Sequence, residues 1–180
     1  MKKFKILSAL AFTIFLTGCA TGAKMENMVF TDSSGKTYSS ELKSQVSVDD
    51  VAGGKETNPA WTSEISNENF KSALKTSLES QGLYSENGKY TLSANLIDVN
   101  QPMFGLDFTV TTHIEYKLAE KQTGKIIFNK TISAPYTATV GDAFAAIKRL
   151  RLANEGSGKE NIKNLLSELA NIDVADISIN

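Results

Sequence analysis

The sequence predicts one α/β domain: a two-layer sandwich of the α+β kind, in the order β-α-β-β-β-α, with two amphipathic helices on one face of a mostly antiparallel sheet. Three observations predict it. Leu106, Phe108, Val110, Thr112, Ile114, Tyr116 and Leu118 alternate with polar residues, the period of a half-buried strand. Phe70, Ala73, Leu74 and Leu78 recur at the spacing of one helix face. A second helical phase runs through Ala143, Ala146, Ile147, Leu150 and Ala153 to Ile162, Leu165, Leu166 and Leu169. Strands with one apolar face and helices with one apolar stripe bury both by stacking. With 180 residues, 41% of them hydrophobic and 22% charged, the chain has the material for one core.

The first residues are of another kind. Lys2, Lys3 and Lys5 make a basic start, and Ile6 to Leu16 form an apolar run broken only by Ser8 and Thr13. That pattern is an export signal. The run is shorter than the roughly 20 apolar residues a spanning helix needs. It ends in Leu16, Thr17, Gly18 and Cys19, which resembles the lipobox of bacterial lipoproteins. The resemblance covers about the first twenty residues. It implies that the signal, residues 1–18, is cut away, that the Cys19 thiol takes a diacylglycerol thioether, and that the new amino group is acylated. Ala20, which is not aspartate, implies outer-membrane sorting in a Gram-negative host, with the domain in the periplasm. Cleavage removes three of the 19 basic residues and none of the 20 acidic ones, for a mature charge of about −4. No basic face points to nucleic acid.

Residues 19–43 lack sustained periodicity and read as the lipidated N-terminus and a tether, with a short strand near Met28 to Thr31. Residues 44–180 read as the single periplasmic domain. Val46, Val48 and Val51 mark its first strand, and Gly53, Gly54 and Pro59 the loop after it. Ser66 is placed to cap the first helix, with Ile65 and Phe70 at the positions of a hydrophobic staple and Gly82 as its stop. Tyr90, Leu92, Ala94 and Leu96 alternate, then lose phase at Ile97 and Val99, which predicts a bulge. The turn at residues 121–124 leads into a strand with Ile126, Phe128, Ile132, Ala134 and Tyr136 on one parity; Lys130 and Pro135 place it at or near an edge. Asp142 is a candidate cap for residues 142–170, read as one long helix or two broken at Gly156 and Gly158. Each glycine costs about 1 kcal/mol against alanine inside a helix, so close packing or a kink must explain them. Residues 173–180 suggest a last short strand.

No residues are assigned to catalysis, a cofactor or a metal. Gly35-Lys36-Thr37 has Phe30 where a phosphate-binding loop needs its first glycine. His113, beside Thr111 and Glu115 on the polar side of a strand, is the one histidine, so a serine nucleophile has no other imidazole base. Asp49 and Asp50 lack calcium-loop spacing. Arg151 and Glu155 stand at i,i+4 as a surface ion pair; a basic patch of Arg149 and Arg151 facing an acidic partner or lipid headgroups is the sharper alternative. Met103 and Phe104 fall between Pro102 and Gly105 at a loop tip, a candidate contact surface, and Trp61 is either a further contact or a buried anchor.

The pattern also resembles, loosely and without a motif beyond the lipobox, small periplasmic lipoproteins of envelope assembly and transport, such as the lipopolysaccharide-assembly lipoprotein and the auxiliary lipoproteins of envelope ABC transporters. It implies a membrane-anchored, non-enzymatic module binding an envelope protein or lipid component. The alternatives are an envelope hydrolase or transferase with a site hidden among scattered carboxylates, and a structural homo-oligomer joined at the edge strand.

Overall fold

The structure, a computed structural model, describes residues 20–32, 35–58 and 62–172. Cys19, Trp61 and the strand expected at 173–180 lie outside the described residues. The elements are α1 (Met25–Met28), β1 (Val46–Ala52), α2 (Asn67–Ser80), β2 (Tyr90–Asn100), β3 (Phe108–Glu120), β4 (Ile126–Ala138) and α3 (Ala146–Ala170).

The four strands form one sheet in sequence order. β1 and β2 run parallel with α2 as the crossover, and β2, β3 and β4 form an antiparallel meander. The expected two-layer sandwich is present. The phase loss in β2 is a register shift between Leu96 and Asp98, which turns Ile97 out to solvent. β4 lies at an edge, as Lys130 and Pro135 predict: Pro135 has no N–H to donate and sits where only one side is paired.

Alternation aims the β2 and β3 side chains at the helices. Tyr90, Leu92, Leu96, Ile114, Tyr116 and Leu118 meet Phe70, Leu74 and Leu78 of α2 and Ile162, Leu165 and Leu166 of α3 in the main core. Each such side chain contributes about 1.5–3 kcal/mol by leaving water. A smaller cluster of Phe108, Val110, Ala138, Leu150 and Ala153 fills the end of the sheet where β3 begins and β4 ends. Helix α2 starts as its sequence requires: the Ser66 hydroxyl accepts from the Asn69 N–H, Ile65 and Phe70 are buried, and Gly82 adopts φ 68° at the stop.

Helix α3 is one unbroken helix of 25 residues. Its glycines are close-packing positions. A Cβ on Gly156 would overlap the Tyr136 ring, and one on Gly158 would reach 2.9 Å from Met28 Sδ. Tyr136 therefore covers the helix although its outer edge is wet.

Four expectations are corrected. The described residues of 20–43 pack on the body and do not form a tether, because Ala23, Met28 and Leu42 are fully buried and Phe30 and Tyr38 nearly so. The strand expected at Met28 to Thr31 is absent; α1 ends at Met28, and the Phe30 backbone bonds to Ser77 and Ser80 of α2 instead of a strand. Asp142 caps a turn, accepting the Thr139 N–H, while α3 begins at Ala146 with no side-chain cap. Leu106 precedes the strand and is exposed, since β3 opens at Phe108. Among the described residues, no helix is long and apolar enough to cross a membrane.

Candidate functional site

The inner face of α3 carries polar residues where a core helix ordinarily carries leucine. Glu155 is 2% exposed, and its carboxylate accepts the Lys24 backbone N–H at 3.0 Å and the Asn27 side-chain amide at 2.9 Å. Arg151 Nε approaches the same carboxylate at 3.4 Å, and its guanidinium also donates to the Thr21 hydroxyl. One turn away, the Asn154 amide donates to Ser63 O at 2.7 Å, and Ser63 Oγ donates to Thr21 O at 2.9 Å. The side-chain amide nitrogen of Gln101, which opens the loop after β2, lies 3.1 Å from each of three acceptors, Ser63 O, Glu64 Oε2 and Asn154 Oδ1, and its two hydrogens are shared among them. The first folded residues, the chain before α2 and the loop after β2 are thus tied to one stretch of α3. A carboxylate buried this deeply needs such partners to offset its lost hydration.

Two loops emerge from the same end. Phe108 pairs with Ala138, so residues 101–107 and 139–145 leave the sheet side by side, joined where the Val140 N–H donates to Asp107 Oδ1 at 3.2 Å. Their tips are apolar and wet: Met103 is 93% exposed, Phe104 86%, Leu106 78% and Phe144 93%, with Val140 half-exposed beside them. The loop carboxylates are exposed but engaged within the loops. Asp142 accepts from both the Thr139 N–H and the Thr139 hydroxyl, which hold it below its ordinary range. Arg149 lies under the second loop, 5% exposed, donating to Ala143 O and Phe144 O with its guanidinium 5.3 Å from the Phe108 ring centre.

The other chemistry-bearing residues are scattered. His113 lies on the open face of the sheet, its Nδ1 2.7 Å from Ser133 Oγ and its Nε2 3.3 Å from the Asn100 amide nitrogen. Which ring nitrogen donates follows the tautomer, and both neighbours, Ser133 and Asn100, suit either role. Asp49 and Asp50 are exposed at the β1 register shift. The Lys36 ammonium rests 4.9 Å from the centre of the Phe30 ring, the residue that interrupts the phosphate-loop pattern. Along the β1 edge and α2, a solvent-open cleft of about 590 Å³ is lined by Lys71, Lys75, Lys121, Tyr84, Asp49 and Glu86 among others. Among the described residues no group of three His, Cys, Asp or Glu side chains is placed to hold a metal ion.

Met103 and Phe104 stand out in solvent, whereas Arg149 is buried against the Ala143 and Phe144 carbonyls and Arg151, partly exposed, is turned to Glu155 and Thr21. The Arg151–Glu155 pair is likewise internal and not a surface pair. Leu106 and Phe144 were not among the sequence-based contact residues. The signal that finds them is an apolar residue in the short loops that hold Gly105 and Gly141, at the mouths of two strands that pair.

No family model matches the chain, and no curated protein does. Solved structures match its fold. The crystal structure of protein XCC0632 from Xanthomonas campestris, of the family DUF330, superposes with a TM-score of 0.55 at 10% identity, covering 79% of this chain and 94% of that one. A candidate lipoprotein from Caulobacter crescentus gives a TM-score of 0.50 at 17% identity, over 73% of this chain and 90% of that one. At those identities the likeness is one of fold.

Proposed function

We propose that the chain is a bacterial lipoprotein whose signal peptide, residues 1–18, is removed and whose Cys19 carries the lipid anchor. The domain then acts at the periplasmic side of the outer membrane as a non-enzymatic binding or accessory module for an envelope protein or lipid component. The observation that carries this reading is the run Leu16-Thr17-Gly18-Cys19 set directly against Ala20, where a buried and hydrogen-bonded body begins. The fold shared with the Caulobacter candidate lipoprotein supports it. Acylation at two or three positions gives stable attachment, where one chain gives marginal binding.

The test is growth of expressing cells with a clickable palmitate analogue. The wild-type chain takes up label and sediments with membranes; Cys19→Ala takes up none and moves to the soluble fraction. A wild-type chain that stays unlabelled overturns the reading. Cross-linking in whole cells, with Cys19→Ala as the control, then identifies the envelope component captured only from the anchored state.

A further inference from the structure

We infer that the apolar tips at Met103, Phe104, Leu106 and Phe144 form a bilayer-contacting surface, a second attachment that fixes how the domain stands on the membrane. This rests on the lipoprotein reading of Cys19. The occupant follows from where the folded chain starts. Thr21 is held by Ser63 Oγ and by Arg151, and Gln101, at the head of the Met103 loop, shares the Ser63 carbonyl with Asn154. The point where the chain leaves for Cys19 and the root of the apolar loop are thus joined through a single residue, Ser63. One residue spans at most about 3.6 Å, so no spacer separates an acylated Cys19 from this end of the body. With that anchor in the bilayer, the medium at this end is lipid.

The chemistry of the tips fits that medium. Four large apolar side chains stand almost fully out of the protein, a grouping rarely left to water. The nearby carboxylates, exposed and charged, are held by the loops' own groups, Asp107 by the Val140 N–H and Asp142 by Thr139. Contact therefore stops at headgroup depth, where they stay wet while the apolar tips reach the acyl boundary. The exposed Lys148, in the first turn of α3, can reach headgroups. Two attachments define an orientation that one flexible anchor does not. The lysine-lined cleft runs along β1 and α2 to Lys121, just past the end of β3, and that end of it would be presented away from the bilayer.

The test uses the full, acylated chain in phosphatidylcholine vesicles with one added thiol labelled by an environment-sensitive fluorophore. The label is at Phe104→Cys or, as control, at Gln122→Cys in the hairpin at the other end of the sheet. The expected result is a blue-shifted emission at position 104 that lipid-borne quenchers largely abolish, with water-like, unquenched emission at 122. Acylated protein with water-like emission at 104 overturns this inference and leaves the lipoprotein reading standing. A blue shift at 104 that lipid-borne quenchers do not touch also overturns it, in favour of a protein partner or a second copy. Palmitate labelling of the same preparation separates these outcomes from failure of the anchor itself, which would remove both readings.

Discussion

Helices α2 and α3 cover the same face of one sheet, and they do it with different chemistry. The buried side of α2 is Phe70, Ala73, Leu74 and Leu78, with one hydroxyl, Ser77. The buried side of α3 interleaves its leucines with Arg149, Asn154, Glu155, Ser157 and Asn161. Apolar burial is proportional to area and indifferent to partner. Hydrogen bonds in a dry interior are strict about partner, because a group left without one costs more than a made bond contributes. Helix α2 thus supplies free energy of collapse. Helix α3 decides which distant segments lie where: the start of the body, the loop after β2, and β3 through Tyr116 and Thr112.

The largest effects are expected from breaking each helix in its own idiom. Glu155→Ala leaves the Lys24 and Asn27 donors and the Arg151 charge without their acceptor, and about 3–5 kcal/mol of stability should be lost. Leu74→Ala leaves a cavity in the main core and should cost about 2–5 kcal/mol. Urea unfolding reads both, but the losses differ in place. In Glu155→Ala, amide exchange should accelerate first over residues 21–30; in Leu74→Ala it should rise across the whole core. A Glu155→Ala protein that loses less than about 1 kcal/mol and keeps its exchange pattern would mean that α3 docks by area, as α2 does.

Next come the buried hydroxyls, one on each helix. Ser157 Oγ accepts the Thr112 N–H at 2.9 Å and donates to Ala134 O at 2.7 Å, so it links α3 to both β3 and β4. Ser77 Oγ accepts the Phe30 N–H at 3.0 Å and donates to Ala73 O within its own helix. Each serine-to-alanine change strands one buried backbone N–H, so each should cost about 1–3 kcal/mol in thermal unfolding. Ser157→Ala should be the larger, since a sheet carbonyl also loses its donor. Equal losses would place the whole effect on the stranded N–H.

The same contrast explains what could be read before the fold was known. Helix α2 and strands β2, β3 and β4 were legible because their signals are local: period, cap, staple and turn lie within a few residues of one another. The role of Glu155 was not, because its donors are Lys24 and Asn27, 131 and 128 positions away, and i,i+4 spacing alone makes it look like the surface partner of Arg151. Residues 20–43 looked loose for the same reason. Their order comes from Ser77, Ser80, Glu155 and Glu64, not from any period of their own. Met103 and Phe104 were legible as a loop tip between proline and glycine, whereas Phe144 was read into a helix that starts two residues later.

The smallest expected effect lies at the two helix starts. Ser66 caps α2 through the Asn69 N–H, and Ser66→Ala should cost about 1 kcal/mol. Ala145 stands at the corresponding position of α3, with φ −72° and ψ 122°, the extended geometry a capping residue adopts, but it has no side-chain acceptor. Arg149 does not fill that role, since it donates to the carbonyls of Ala143 and Phe144 and leaves the first-turn N–H groups of α3 as they were. Ala145 is exposed, so a hydroxyl there meets no steric or desolvation cost. Ala145→Ser should therefore raise stability by about 0.5–1 kcal/mol, seen as a higher urea midpoint with an unchanged slope. A neutral result would mean that water already satisfies those donors as well as a serine does, and that the two helices differ in how they are held down but not in how they begin.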